Sequence, residues 1–477
     1  MRVGPGEHKH QGPKVFCFLS SETKTFLNRR KLPHRRRPAH HPKAGGVPIR
    51  RFRKILLQTC IQAVSIGRLG PVATTPRHRS SPKEIRAMPI LSPVTKSARL
   101  PYSMLAIAMV FAPLAGATAA TETVLHTFTG AGDGHVPIGA LAMDAQGTLY
   151  GTTLEGGAEN AGTVFILNAK GGETVRFSFG AGGIQSPVGG VVRGGKGEIF
   201  GTTSGLDSNL DGSVFRLGAH GNAKQLHLFG QTAGDGFYDN TGLTRDAAGN
   251  LYGTTYFGGA SGDFGIVYKL SPQGKETILY HFQGGTDGQW PTGTPILDPA
   301  GNLYGVTQTG GSKRDGTVYK LTQSGTKTTL HGFAGPDGYY PIGALVLDAA
   351  GNLYGATQGG GAHGEGALFK VTPSGTETVL YSFTGKTDGA NPIGPLVFDS
   401  AGTLYGTASK GGAGKVGTVY TLSPDGTFQT LYAFKGTGGD GAFPNGGLLI
   451  DAAGALYGTT QYGGGGANDG TVFKVIK

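Results

Sequence analysis

Two kinds of residue in this chain could do chemistry: carboxylates that recur at a fixed spacing, and loop aromatics that do not. Asp133-Gly134, Asp235-Gly236, Asp287-Gly288, Asp337-Gly338, Asp388-Gly389 and Asp440-Gly441 repeat along the sequence. Carboxylates turned toward one mouth would supply the several oxygens that Ca²⁺ takes at about 2.3–2.6 Å. Asp-Gly is also an ordinary turn pair in which the carboxylate caps its own backbone, and copies one repeat apart are too distant to share an ion. Turn capping is the stronger expectation. No cofactor and no metal site is then needed, with Ca²⁺ the one candidate.

After each Asp-Gly the residues vary: His135-Val136, Phe237-Tyr238-Asp239, Gln289-Trp290, Tyr339-Tyr340, Ala390-Asn391 and Ala442-Phe443. Asp239 stands where the other copies have proline. A second set of loops adds Tyr256, Phe257, Asp207, Asp211 and His363. Aromatic rings with a few oriented polar groups suit a glycan or an extended peptide; packing between adjacent loops is the alternative. His126, His227 and His331 share a strand position with Phe177, Tyr280, Tyr381 and Tyr432, which marks a packing position, and three separate repeats cannot bring these histidines together.

Nothing in the sequence assigns a catalytic residue. There is no nucleophile elbow, HExxH helix or phosphate-binding loop. Asp207 and Asp211 could in principle serve as the carboxylate pair of a glycosidase, which makes a secreted polysaccharide hydrolase or lyase the second reading.

The elements that must position these loops repeat. An aromatic residue followed by glycine returns at Tyr150, Phe200, Tyr252, Tyr304, Tyr354, Tyr405 and Tyr457, a period of 50 to 52 residues. Each unit holds four short runs rich in β-branched and aromatic residues. In one unit these are Ala344–Leu347, Asn352–Thr357, Ala367–Val371 and Thr378–Phe383. Asp348-Ala349-Ala350-Gly351-Asn352 joins the first two, and Thr372-Pro373-Ser374-Gly375 the last two. Both are too short for anything but antiparallel hairpins. A four-stranded meander cannot cover its own faces, so seven units predict an all-β, seven-bladed β-propeller.

The region from Thr121 starts with a fourth-type strand, Glu122–Phe128, and ends with a third-type strand, Gly470–Ile476. Pairing them predicts ring closure by the N-terminal strand, which removes an exposed edge. The connections from fourth to first and from second to third strands then share one face, where function is expected.

The formal net charge of +12 belongs to the leader: residues 1 to 99 hold 22 of the 42 Lys and Arg but 3 of the 30 Asp and Glu. The remainder is acidic, so nucleic-acid binding is not expected. Lys96 and Arg99, an apolar core from Leu105 to Ala115 and the small residues Ala117–Ala120 have the three parts of a secretory signal peptide. The core falls short of the roughly 20 residues a spanning helix needs. We expect a disordered or mis-assigned basic extension over 1–87, a signal peptide over 88–120 and the propeller over 121–477. Both cysteines, Cys17 and Cys60, lie in the leader, so no disulfide is expected in the folded region.

The recurring D-A-A-G-N-L-Y-G-T-T, G-T-V-[FY]-K-L, S-P-x-G, T-x-L-Y-x-F and D-G-x-x-P segments resemble the Gloeo/Verruco (GloVer) tandem repeat family across Thr121 to Lys477. The resemblance implies an exported bacterial protein of propeller type with no assigned chemistry. Together these readings predict a secreted, periplasmic or extracellular monomer. It would have no stable membrane span after signal cleavage, and would bind or scaffold a glycan or protein at its variable loops.

Overall fold

The computed structural model describes residues 120–477 apart from 169–170, 181–183, 205–210 and 240. The extension and nearly all of the signal segment expected above lie outside them, as does Asp207. No helix among the described residues is long and apolar enough to cross a membrane.

The described chain is a seven-bladed propeller of antiparallel sheets. Blade one comprises Ala142–Met143, Leu149–Thr153, Thr163–Leu167 and Glu173–Ser178, and blade two Val192–Arg193, Ile199–Thr203, Ser213–Leu217 and Ala223–Leu228. Blade three follows with Thr244–Arg245, Leu251–Thr255, Ile266–Leu270 and Glu276–His281. Blade four has Gln289–Leu297, Leu303–Thr309, Thr317–Leu321 and Lys327–Gly332. Blade five has Tyr339–Leu347, Leu353–Gly359, Ala367–Val371 and Glu377–Ser382. Blade six is built on Val397–Phe398, Leu404–Lys410, Thr418–Leu422 and Phe428–Ala433.

Blade seven contributes Leu449–Ile450, Leu456–Gly463 and Thr471–Ile476, and its outer strand is Thr121–Thr127. Thr121 pairs with Ile476 and Thr127 with Thr471, so the N-terminal strand closes the ring as expected. The centre closes too. A Cβ on Gly139 of blade one would lie 2.7 Å from the Gly189 carbonyl of blade two, and one on Gly446 of blade seven 2.6 Å from the Gly139 carbonyl. Only glycine permits such close backbone approach.

Both halves of the aromatic-glycine marker have a physical cause. The tyrosine hydroxyl donates to the aspartate of the preceding hairpin turn, as Tyr354 does to Asp348 at 3.1 Å. The glycine leaves room for the aromatic ring of the third strand: a Cβ on Gly355 would sit 2.5 Å from the Phe369 ring. That ring in turn meets a phenylalanine of the neighbouring blade. Phe128–Phe165, Phe179–Phe215, Phe229–Tyr268, Phe282–Tyr319, Phe333–Phe369, Phe383–Tyr420 and Phe434–Phe473 are edge-to-face pairs with centroids 5.0–5.3 Å apart. Each such pair contributes roughly 0.5–1.5 kcal/mol beyond the area it buries. The propeller is held by one repeated seam.

One boundary differs from expectation. The first strand of blade five begins at Tyr339, upstream of Ala344, and shifts register between Ile342 and Val346. Gly343, at φ +88°, forms the bulge. The strand pairs on both sides of it and carries the loop aromatics into the sheet.

Candidate functional site

The loop face is built from the connections between blades and the second-to-third loops within them. Each Asp-Gly carboxylate does cap its own turn. Asp133, Asp235, Asp287, Asp337, Asp388 and Asp440 accept from the backbone amides of Thr129, Gln231, Gln283, Ala334, Thr384 and Lys435 at 2.7–3.2 Å.

Beyond the turn, one residue per blade adopts a left-handed backbone. Val136, Ser186, Tyr238, Trp290, Tyr340, Asn391 and Phe443 have φ between 54° and 60°. For bulky L residues this conformation costs on the order of 1–3 kcal/mol and persists only when its surroundings impose it. Here the amide of each donates to a carbonyl in the second-to-third loop of the preceding blade, at 2.7–3.0 Å, as Trp290 does to Phe264 and Tyr340 to Asp315. The loops of adjacent blades are thereby locked together, and the variable side chains are presented at equivalent points around one mouth.

The sequence-predicted residues divide into separate groups. Tyr238, Tyr256, Phe257 and Trp290 come together with Phe237 across blades three and four. Tyr256 stacks on Trp290 at 5.6 Å and 14°, and Phe237 on Phe257 at 5.5 Å and 23°. Tyr256 also packs edge-on against Phe257 at 4.7 Å. The Tyr256 hydroxyl donates to Gln308 of blade four. Tyr256 is buried as the floor, while Phe237, Tyr238, Phe257 and Trp290 are half-buried and form the face.

Tyr339 and Tyr340 form an edge-to-face pair of their own on blade five, centroids 5.0 Å apart. His363 lies exposed on the next loop of that blade. Phe443 meets Tyr462 on blade seven at 6.0 Å. His135 sits between two carboxylates, Nε2 3.3 Å from Glu155 and Nδ1 3.8 Å from Asp469.

Asp211 is half-buried, and its carbonyl receives the Tyr238 amide at 2.7 Å. Asp239 is fully buried. It accepts from the Thr241 amide and hydroxyl and from the Tyr268 hydroxyl. Burial pushes its carboxyl up to about 7 against those bonds. The departure from proline thus serves the blade interior, where Tyr319 and Tyr420, at the position of Tyr268, have buried hydroxyls without a partner.

Sequence reasoning placed Phe237 among the variable loop residues and left Gln308 out. Phe237 carried a signal, since it precedes Tyr238 in the same variable segment. Gln308 carried none, because its role depends on how blade four leans on blade three.

Among solved structures, the chain is similar to the extracellular domain of a one component system from B. thetaiotaomicron, at 11% identity and a TM-score of 0.47, covering 71% of this chain and 38% of that one. It is also similar to a gluconolactonase from Xanthomonas campestris, at 18% identity and a TM-score of 0.38, covering 61% of this chain and 86% of that one. This chain therefore spans well under half the length of the first of these structures. No curated protein matches the sequence. The Gloeobacter/Verrucomicrobia repeat profile matches residues 111–264, 235–397 and 377–477, overlapping segments that run from just before the propeller to the last residue. By that match, and by the motifs whose physical roles the blades display, the chain belongs to the Gloeobacter/Verrucomicrobia repeat family.

Proposed function

We propose that this propeller is an exported binding module whose ligand is a glycan, held at the aromatic face of blades three and four. The observation that carries the reading is the contiguous set Phe237, Tyr238, Tyr256, Phe257 and Trp290. Two members stack across the blade boundary, and two, Tyr238 and Trp290, are fixed by left-handed backbones. Rigid aromatic faces give large contact area at little entropic cost, and a few polar groups at their edge orient the ligand. Gln289, beside Trp290, and Asp263, beside the Phe264 whose carbonyl accepts the Trp290 amide, carry polar side chains in the same loops, neither fully buried. Export is supported by the charged, apolar and small-residue order of Lys96 to Ala120.

The test is a glycan and polysaccharide array probed with the full chain, with and without calcium, followed by product analysis on every hit. Binding that falls at least tenfold in Trp290→Ala and Tyr238→Ala, with the oligosaccharide unchanged, supports the module. Products in place of unchanged ligand would favour the hydrolase or lyase. Undiminished binding in both variants would overturn the assignment of this face.

A further inference from the structure

The outer seams between blades carry a second arrangement that the loop face does not use. At six of the seven seams a residue near the end of one fourth strand is followed by the Asp of an Asp-Gly turn and matched by a residue at the start of the next blade's fourth strand. At the seam leading from blade three into blade four these are Tyr280, Asp287 and Lys327. The Lys327 ammonium, 3% exposed, lies 2.9 Å from the Asp287 carboxylate. A half-buried carboxylate is there matched by a buried cation supplied by the chain itself.

At three other seams the lysine position holds glutamate and the tyrosine position holds histidine, around Asp133, Asp235 and Asp337, and at the last two of these the three groups converge. His227 Nε2 lies 3.8 Å from Asp235 Oδ1 and 3.7 Å from Glu276 Oε1, with side-chain exposures of 17%, 2% and 14%. His331, Asp337 and Glu377 repeat the set. Among the described residues these two groups alone bring three such donor atoms within 4.8 Å of one another. The His227 Nε2 and Glu276 Oε1 atoms are buried without a hydrogen-bond partner. Two carboxylates and an imidazole thus converge, partly unsatisfied, at the place where the neighbouring seam puts a positive charge.

The geometry points to a divalent transition-metal site at His227, Asp235 and Glu276, with a sister site at His331, Asp337 and Glu377. One imidazole nitrogen and two carboxylate oxygens are a donor set that zinc accepts, leaving a fourth position for water. Tetrahedral zinc with bonds of about 2.0–2.1 Å separates its ligand atoms by about 3.4 Å. The 3.7 and 3.8 Å spans at His227 close to that by a small swing of the carboxylates. Asp235 is already oriented, because its Oδ1 accepts the Gly236 amide at 2.7 Å and its Oδ2 the Gln231 amide at 3.2 Å. Such outer hydrogen bonds fix a ligand before the metal arrives. The role is structural: each ion ties the outer strands of two consecutive blades.

The full chain, stripped with chelator and then titrated with zinc chloride, tests this by stoichiometry. His227→Tyr and His331→Tyr are suitable variants, since Tyr280, Tyr381 and Tyr432 occupy the same position in other blades and donate to the equivalent aspartates Asp287, Asp388 and Asp440. Each substitution is expected to remove one zinc equivalent relative to the wild type, and the double variant two. Counting by difference cancels zinc held by the leader. Zinc should also raise the Tm of the wild type and leave that of the double variant unchanged. His126→Tyr, at a seam whose three groups do not converge as closely, should lose none. A double variant that binds as much zinc as the wild type overturns the proposal, as does a wild type that takes up none.

Discussion

Tyr354 Oη donates to Asp348 Oδ2 at 3.1 Å, across the turn that joins the first two strands of blade five. The same bond spans 2.8–3.1 Å in five other blades, from Tyr150, Tyr252, Tyr304, Tyr405 and Tyr457. In blade two the aspartate is replaced by Gly194 and the tyrosine by Phe200, so donor and acceptor are missing together. The outer connection behaves alike: blade one has Phe177 and no Asp-Gly after it, whereas Tyr381 donates to Asp388 at 2.9 Å. The hydroxyl and the carboxylate are present or absent together, since the hydroxyl without the carboxylate would lose its acceptor.

That relationship predicts non-additivity. Tyr354→Phe should cost about 1 kcal/mol, a hydrogen bond to a half-buried charged group. Asp348→Gly should cost more, since it also removes the acceptor of the Ala350 and Asn352 amides at 2.9 and 2.8 Å. The double variant, which reproduces blade two, should lose less than the sum of the singles by on the order of 0.5–1 kcal/mol. Chemical denaturation of the three variants measures this; strict additivity would show that the bond carries no coupling.

Opposite pH limbs follow from two kinds of carboxylate. Burial opposes ionisation of Asp348, but hydrogen bonds from Asn352, Tyr354 and Ala350 outweigh it and hold the carboxyl below its ordinary 3.8. Its contribution is present above that value and is lost as pH falls through the lower, folded one. Glu122 on the closing strand behaves inversely: burial and then the Asp440 charge push it up from 4.5 to about 7, against Lys435. Between those values the native chain holds a proton that the unfolded chain releases. The contribution of Glu122 is therefore complete below about 4.5 and lost as pH rises through about 7. Glu122→Gln should raise Tm at pH 8 by on the order of 1 °C, a modest shift because the group keeps some solvent contact. It should leave Tm at pH 4.5 unchanged. A shift of equal size at both pH values would remove ionisation as the cause.

Most of the architecture was legible because it is local or strictly periodic. The hairpin turns declare themselves through Asp348 to Asn352 and Thr372 to Gly375, and the spare strand at Thr121–Thr127 announces closure. The early start of the first strand at Tyr339 was hidden, since Pro341 and Gly343 read as turn residues although the sheet accepts them at a bulge. The site was legible as a composition and not as a geometry. Tyr256 and Trp290 were visible as loop aromatics, but their stacking depends on the left-handed backbone of Trp290, which nothing near it in sequence requires. His227 was correctly read as sharing a position with tyrosines. Glu276, which completes its surroundings, lies one blade further on and has no local pattern connecting the two.

Asp239 offers a cleaner interior test. Tyr268→Phe removes one of its hydrogen bonds and leaves a fully buried carboxyl less satisfied, which should cost about 1–3 kcal/mol. Adding Asp239→Pro to that variant restores the phenylalanine and proline pairing found in blades one, two, five and seven. The double variant should therefore recover most of the lost Tm. Failure to recover would mean that the backbone at 239 needs aspartate for a reason other than Tyr268.

The closing strand sets the last prediction. Thr121–Thr127 completes the sheet of blade seven, and Phe128, fully buried, plugs its ring against Phe165 of blade one at 5.1 Å. Removing residues 121–130 would strip both. The edge of Thr471–Ile476 would lose its hydrogen-bonding partner, and the seam between blades seven and one its aromatic pair. An unpaired edge recruits strands from other chains, so the deletion should lower Tm by several degrees and produce concentration-dependent aggregation seen by light scattering. Adding the missing segment in trans as a synthetic peptide should reverse both effects, because it supplies a strand of matched register. Without that rescue, the damage could not be assigned to the open edge. An unchanged melting curve after deletion would show that the ring does not depend on this strand.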